Sequence, residues 1–353
     1  MIEGLGRSKP PRRRRTTSPR TSAVVRIASV LIGCVGGSVN ATEGAGEPVQ
    51  QVIVVVGAAG EAAFGERFER WAAALEQVCD VAQIACSRVG PDDVDAEPGE
   101  VSSDTRTQKD RLEKTLLQTN PQERLWLVLF GHGTFDGKTA RFNLKGPDLS
   151  AEELDRWLDS KSCDVAVINC ASASGPFIPA VAGPNRVVIA ATNSGYELNF
   201  ARFGEAFASA WTAEEADGDK DHEISLLEAF LYASRRTSES YREDGALATE
   251  HALLDDNGDG RGVAADWWTG SRRTSQPNDG AAADGRSASQ WVLAPLGDEH
   301  ALSREARERR DAIESELERL RKRKTLMSEG EYYESLAQLA TELARIYRDV
   351  DPK

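Results

Sequence analysis

Histidine is scarce in this chain, with four among 353 residues, so any chemistry that needs an imidazole is confined to very few positions. Cysteine is nearly as scarce: there are five, with no CxxC pair, which excludes a disulfide lattice. Clustered basic residues are missing from the body of the chain, and the formal net charge is -14. Nucleic acid is therefore excluded as a partner, because binding phosphate backbones requires Lys and Arg grouped on the folded part. What is present, 40% hydrophobic and 28% charged residues, is the composition of a soluble globular protein with room for one large domain or two ordinary ones.

The basic residues gather instead at the extreme N-terminus, in "PPRRRRTTSPR", followed by "TSAVVRIASVLIGCVGGSVNATEG". A positive region, a short apolar segment and a small-residue zone in that order read as an export signal over residues 1–49, linker included. The apolar segment is interrupted by Arg26 and is shorter than the roughly 20 residues of a membrane span. "LIGC", Leu31 to Cys34, resembles a bacterial lipobox and implies membrane attachment through a lipidated Cys34. Cleavage after Ala41 is the rival, and a basic tail with no targeting role is the third reading. Export places the protein in the periplasm, on the envelope or outside a bacterium.

From residue 50 the chain alternates apolar runs with helical periods. Val52 to Val56, "RLWLVLF", "CDVAVIN" and "RVVIAA" read as buried parallel strands. Between them "FGERFERWAAALEQV" sets Phe64, Phe68, Trp71, Ala72 and Leu75 at helical spacing, and "TRTQKDRLEKTLLQT" and "AEELDRWLDS" read as further helices. This order predicts an α/β/α sandwich with a mostly parallel central sheet over residues 50–268. Residues 91–104 read as a loop, 269–299 as a flexible insertion, and 300–353 as a C-terminal helical hairpin with Leu336, Leu339, Leu343 and Tyr347 on one face. Cys79, Cys86 and Cys163 read as buried free thiols, and Cys79 and Cys86 can meet only if a turn lies between them.

Two residues fall at the carboxyl ends of predicted strands, where function gathers in such sheets: His132 in "LFGHGT" and Cys170 in "VAVINCASASG". Cysteine attack on a carbonyl needs a thiolate, a nearby imidazole and N–H donors for the oxyanion. The segment between the two is long enough for a crossover that makes their strands neighbours. Gly133 then offers an unobstructed N–H, with the Cys170 N–H as a second donor, and Ala171 to Gly175 leave space for a peptide. A buried thiol ending a core strand is the competing reading of Cys170. Ser172, Ser174, Asn193 and Glu197, with Ser194 and Arg202, are candidate substrate contacts, or else solvated loop and cap residues.

The blocks "GHG" and "NCASASG", each after an apolar strand, resemble those of caspase-like cysteine peptidases, most closely a bacterial legumain-like member. The resemblance extends through "VVIAATNSGYELNFARFGEAF" to "ATEHALLDDNGDGRG". It implies a caspase-like fold and an endopeptidase in which His132 is general base and acid, Cys170 the nucleophile and the Gly133 amide an oxyanion donor, acting on peptide or protein substrates. It also places Ala58 or Ala59 where legumains carry an Asn that helps orient the histidine. An inactive pseudopeptidase acting as a calcium-associated envelope scaffold is the alternative, and a transpeptidase the third reading.

One further motif suggests a cofactor, Ca²⁺. In "DGDKDHEISLLE", Asp217, Asp219 and Asp221 occupy positions 1, 3 and 5 of an EF-hand-like loop, with Glu223 offering its carbonyl at 7, Ser225 at 9 and Glu228 able to bind bidentately at 12. His222 stands where glycine makes the sharp turn. The competing reading is an acidic cap on the following helix. "DDNGDGRGVAAD" puts Asp255, Asn257, Asp259, Gly260 and Asp266 in the same register but has Gly262 at the apolar eighth position, and it reads equally as a turn-rich surface loop.

Overall fold

The apolar runs become the inner strands of one sheet in the computed structural model, which describes residues 49–91, 107–277, 282–296 and 302–350. The elements run β1 (Gln50–Val56), α1 (Ala62–Val81), β2 (Ala85–Val89), α2 (Gln108–Gln118), β3 (Arg124–Phe130), β4 (Gly133–Phe135), β5 (Ala140–Phe142), β6 (Leu149–Ser150), α3 (Ala151–Leu158) and β7 (Asp164–Asn169). There follow α4 (Phe177–Val181), β8 (Arg186–Ala190), α5 (Phe203–Ala210), β9 (Glu223–Ser225), α6 (Leu226–Glu243), β10 (Leu253–Asp255) and β11 (Val263–Ala264). The last are β12 (Trp268–Thr269), β13 (Arg272–Arg273), α7 (Arg286–Ser289), β14 (Val292–Pro295), α8 (Arg304–Arg323) and α9 (Glu329–Val350).

The central sheet has the order β11-β10-β8-β7-β3-β1-β2. Strands β2, β1, β3, β7 and β8 are parallel, and β10 and β11 close one edge antiparallel. Period-two alternation divides the strand residues between two helix layers. Val52, Val54, Val56, Trp126, Val128, Phe130, Ala166 and Ile168 pack with Phe68, Trp71 and Leu75 of α1 and with Phe203 and Phe207 of α5. Ile53, Val55, Leu125, Leu127, Leu129, Val165 and Val167 pack with Leu112 and Leu116 of α2, Leu154 and Leu158 of α3, and Phe177 and Ile178 of α4. Each such buried aliphatic or aromatic side chain stabilises the fold by roughly 1.5–3 kcal/mol, an upper figure because unfolded chains are partly collapsed. The α/β sandwich with a mostly parallel sheet is the architecture that the sequence pattern predicts.

Helix starts follow their capping chemistry. Ser150 and Glu153 form a capping box on α3, and Thr107 and Asp110 form one on α2. At the C-terminus α8 and α9 form the expected hairpin, with Leu302, Ile313 and Ile346 buried against Leu339, Leu343 and Tyr347. Leu336, expected on that face, is only partly covered.

Three expectations are revised or fall elsewhere. Residues 269–299 are not all an insertion: β14 pairs with β9, and Ala288, Trp291, Val292 and Leu293 are buried. Ala288, Trp291 and Leu293 join the core cluster of the α1 and α5 layer, which a composition rich in Gly, Ser and Ala conceals. Strand β2 went unpredicted because "ACSRV" at the sheet edge is only partly buried and carries no apolar run. The export signal, Cys34, Ala41 and most of the 91–104 loop lie outside the described residues. Among the described residues no helix is long and apolar enough to cross a membrane.

Candidate active site

Strands β3 and β7 are parallel neighbours with Leu129 opposite Asn169, so the segments holding His132 and Cys170 leave the sheet side by side at its carboxyl edge. Alternation then decides which way each side chain turns. Cys170 continues the series Ala166, Ile168 and so faces the α1 and α5 layer. His132 continues from Phe130 to the same side, where its ring meets Phe64 and Phe68 of α1 edge-on at centroid distances of 4.9 and 5.1 Å, and Phe200 at 6.0 Å.

Cys170 is fully buried. Gly204 of α5 covers it closely: a Cβ at that position would stand 3.0 Å from the Cys170 Cβ and 2.8 Å from the Trp71 ring, so glycine lets the helix sit this near. Burial first, and then the charge of Glu250, push the thiol well above its ordinary value. In this arrangement Cys170 is a neutral thiol.

The His132 Nε2 lies 3.2 Å from the Ala59 carbonyl oxygen. A carbonyl only accepts, so this bond puts the proton on Nε2 and leaves Nδ1 as the basic nitrogen. The loop after β1 thus orients the imidazole through the backbone of Ala59, one of the two alanines that the resemblance sets in the place of an orienting Asn. Withdrawal from water by the aromatic rings lowers the His132 pKa, opposed by the Ala59 bond and the charge of Glu61. Thiol and imidazole are both neutral here, and an ion pair requires that Cys170 be uncovered.

The donors expected for an oxyanion divide. The Cys170 N–H is not available: it donates to the Leu129 carbonyl at 3.0 Å, because residue 170 still lies in the strand ladder. The Gly133 N–H donates to the Ser172 Oγ over a long 3.3 Å, and that hydroxyl is also 3.3 Å from the Gly133 carbonyl. The approach is so close that a Cβ on Gly133 would fall 2.2 Å from the Ser172 carbonyl oxygen. Ala173 holds a left-handed φ of 54°, uncommon without glycine, and its N–H donates to the Glu197 carbonyl at 2.8 Å.

Ser172 and Ser174, expected to touch substrate, are buried and stitch loops together. Ser174 Oγ lies 3.2 Å from Thr192 Oγ1 and accepts from the Thr192 N–H at 3.2 Å. Glu197 accepts from the Asn193 N–H at 2.9 Å and meets His251 Nδ1 at 2.5 Å, while Asn193 itself is exposed. Arg202 stacks 4.3 Å over the Tyr241 ring and pairs with Asp244 at 2.6 Å, bracing α5 against α6. Apolar surface rises beside this loop, where Tyr196 is 75% and Leu198 59% exposed. A cavity of about 430 Å³, which Phe203 and Glu250 help line, and one of about 820 Å³, which Phe200 and Arg202 help line, are both without His132 or Cys170 in their walls.

No family model matches the chain, and no curated protein matches it. Among solved structures it is similar to caspase-1 from Spodoptera frugiperda, at 10% identity and a TM-score of 0.38, over 60% of this chain and 87% of that one. It is similar also to the Drosophila initiator caspase Dronc, at 10% identity and a TM-score of 0.36, over 62% of this chain and 83% of that one. A secreted C11 cysteine protease from Bacteroides thetaiotaomicron, solved with an irreversible peptide inhibitor, follows at 10% identity and a TM-score of 0.35, over 59% and 66%. At such identity and superposition the activity must be read from the chain's own residues.

The acidic loop after α5 gathers oxygen donors: ligand atoms of Asp217, Asp219 and Asp221 all lie within 4.8 Å of one another. Lys220 and His222 hold left-handed φ values of 65° and 67°, so the turn that favours glycine forms without it. The three aspartates suit a hard divalent cation. The Glu228 carboxylate is committed elsewhere, and the Glu223 side chain is paired while position 7 calls only on its backbone carbonyl. Glu228 Oε1 accepts from the Gly218 N–H at 2.8 Å, and its Oε2 closes the capping box of α6 with Ser225 at 2.9 Å. The Glu223 carboxylate pairs with Arg307 at 2.5 Å and Arg310 at 2.7 Å, and Arg310 also reaches Asp221 at 2.9 Å. Burial and the charge of Asp219 raise the Asp221 carboxyl to about 7.

Several contributors carried no signal in the sequence. The Ala59 carbonyl is a backbone group with no identity of its own, Phe64 and Phe68 look like any core helical stripe, and Phe200 and Glu250 reach the site only through the fold.

Proposed function

We propose that the chain is a caspase-like cysteine endopeptidase, of the legumain-like kind, in which His132 and Cys170 form the dyad and the described arrangement is a closed one. The observation that supports this most is the placement of the two side chains beyond adjacent parallel strands, on one side of the sheet and at its carboxyl end. Catalysis then begins when a peptide or protein segment enters along the Tyr196 and Leu198 loop and the α5 cover over Cys170 shifts. His132 Nδ1 takes the thiol proton, and the thiolate attacks the peptide carbonyl carbon. The oxyanion accepts from the Gly133 N–H in place of Ser172 Oγ. Collapse breaks the C–N bond as His132 gives its proton to the leaving amine, and water deprotonated by His132 then hydrolyses the thioester.

Asp217, Asp219 and Asp221 are proposed as oxygen ligands for Ca²⁺, supported by their spacing and without the Glu228 carboxylate. Export, and anchoring through Cys34, belong to the same reading. The complete burial and raised thiol pKa of Cys170 favour a second reading, an inactive scaffold that keeps the fold. Hydrolysis of a mixed peptide library by the full chain separates the two. Cleavage lost in both Cys170→Ala and His132→Ala establishes the peptidase, whereas a background common to all three proteins establishes the scaffold.

A further inference from the structure

We propose that the turn joining β10 to β11, residues 255 to 261, is a second divalent-cation site of calcium type, built on Asp255, Asn257 and Asp259. Asp255 is fully buried, and its Oδ2 makes no hydrogen bond of good geometry, the N–H groups of Gly258, Gly260 and Arg261 giving the carboxylate its backbone support. An ionised carboxylate oxygen left unpaired in the interior is costly, and a bound cation is the partner it lacks.

The turn repeats the first acidic loop atom for atom in its backbone pattern. The fourth residue donates to the first aspartate's Oδ1 in both: Gly258 to Asp255 at 3.0 Å, Lys220 to Asp217 at 2.6 Å. The fifth donates to the third residue's oxygen: Asp259 to Asn257 at 2.8 Å, Asp221 to Asp219 at 3.3 Å. The seventh donates to the fifth: Arg261 to Asp259 at 2.8 Å, Glu223 to Asp221 at 2.9 Å. Residues four and six are left-handed in both, and here they are Gly258 and Gly260, at φ 78° and 74°, so this turn forms without the strain that Lys220 and His222 carry.

The loops differ where charge is concerned. In the first, the Oδ2 of Asp217 accepts from the His222 N–H at 3.2 Å and Arg310 supplies a positive charge to Asp221. In the second, the Asp255 Oδ2 makes no hydrogen bond of comparable geometry, and the support it has comes from the backbone N–H groups of Gly260 and Arg261. Asn257 is held with Nδ2 donating to the Ala282 carbonyl at 2.6 Å, which turns its Oδ1 into the loop. Two carboxylates, an amide oxygen and the Arg261 carbonyl are hard donors of the mixed kind that Ca²⁺ accepts in flexible geometry. Asp266, the twelfth position, borders the cavity that Glu228 and Trp268 also line, so no bidentate acid is included and affinity is on the order of 10⁻⁴ M.

The site's role is structural. A Cβ on Gly258 would stand 2.8 Å from the Gly183 carbonyl oxygen, and one on Gly260 would stand 3.3 Å from Pro179, so the turn clasps α4 and the entry to β8. Helix α4 begins directly after the Cys170 loop, so a cation here steadies the floor of that loop from the opposite end of the sheet. The inference stands whether or not the chain is a peptidase.

The test is calcium titration of the full chain by calorimetry, with unfolding temperature as second readout. In Asp219→Asn/Asp221→Asn, which disables the first loop, one equivalent of Ca²⁺ should still bind and raise the unfolding temperature. Adding Asp255→Asn should abolish both, and adding the exposed Asp259→Asn, which spares the interior, should weaken binding at least tenfold. Absence of calcium binding in the first-loop variant overturns the proposal, as does binding that survives Asp255→Asn unchanged.

Discussion

Asp284 is 2% exposed, and its Oδ1 accepts from the N–H groups of Asp256 at 2.9 Å and Asn257 at 3.3 Å. Burial, and the charges of Asp256 and Asp255, raise its carboxyl from 3.8 to about 7. Because the folded value lies above the unfolded one, this group's contribution to stability is fully present below pH 3.8 and is lost as pH rises through 7. A shift of about three units corresponds to roughly 4 kcal/mol, and relaxation around the charge brings the expected loss to about 2–4 kcal/mol. Asparagine keeps an acceptor for both N–H groups and never ionises. Asp284→Asn is therefore expected to unfold roughly 4–8 °C above the parent chain at pH 8, with the gap closing towards pH 4. Scanning calorimetry in chelator across that range measures it. A gap that does not change with pH, or a variant less stable than the parent at pH 8, would refute the assignment of a strained carboxylate at this position.

Arg310→Met should cost about 1–3 kcal/mol and open the C-terminal hairpin to trypsin, because it strips one of the two arginine partners from Glu223, whose side chain is 1% exposed, and leaves Arg307 alone on it; chemical denaturation and limited proteolysis measure the two effects. Gly133→Ala should destabilise by roughly 1–3 kcal/mol and abolish any peptidase activity, since its Cβ would lie 2.2 Å from the Ser172 carbonyl oxygen. Denaturant melts alongside peptide hydrolysis check both parts. Cys86 should alkylate before Cys79 in a timed iodoacetamide reaction followed by mass spectrometry. The Cys79 bond lowers the Cys86 pKa, whereas Cys79 is buried and raised by its bond to Cys86 and by burial. The turn between α1 and β2 is what brings the two thiols together.

The inner strands were legible because β1, β3, β7 and β8 are continuous apolar runs, as strands covered on both faces must be. Edge elements lack that mark: β2 is half covered, and β9, β10 and β11 are two or three residues long. The 269–299 segment reads as an insertion because its Gly, Ser and Ala content masks "QWVLAP", whose Trp291, Val292 and Leu293 supply the burial. Both readings of Cys170 stay open in the sequence, because alternation from Ala166 and Ile168 turns it inward only once the helix layers are placed, and its cover includes Gly204, a contact between distant parts of the chain. The expected loss of an orienting Asn was visible in "GAAG"; its replacement by the Ala59 carbonyl was not, because the backbone atom is common to every residue.

The central claim is that Cys170 becomes a nucleophile activated by His132. The most direct measurement is the intact mass of the full chain after treatment with an acyloxymethyl ketone peptide probe, with and without calcium, beside Cys170→Ala and His132→Ala, with circular dichroism showing each protein folded. The account predicts one probe adduct, absent in Cys170→Ala and strongly reduced in His132→Ala. A folded chain that takes up no probe, or one labelled equally when His132 is replaced, would contradict it and leave Cys170 as the buried end of a core strand.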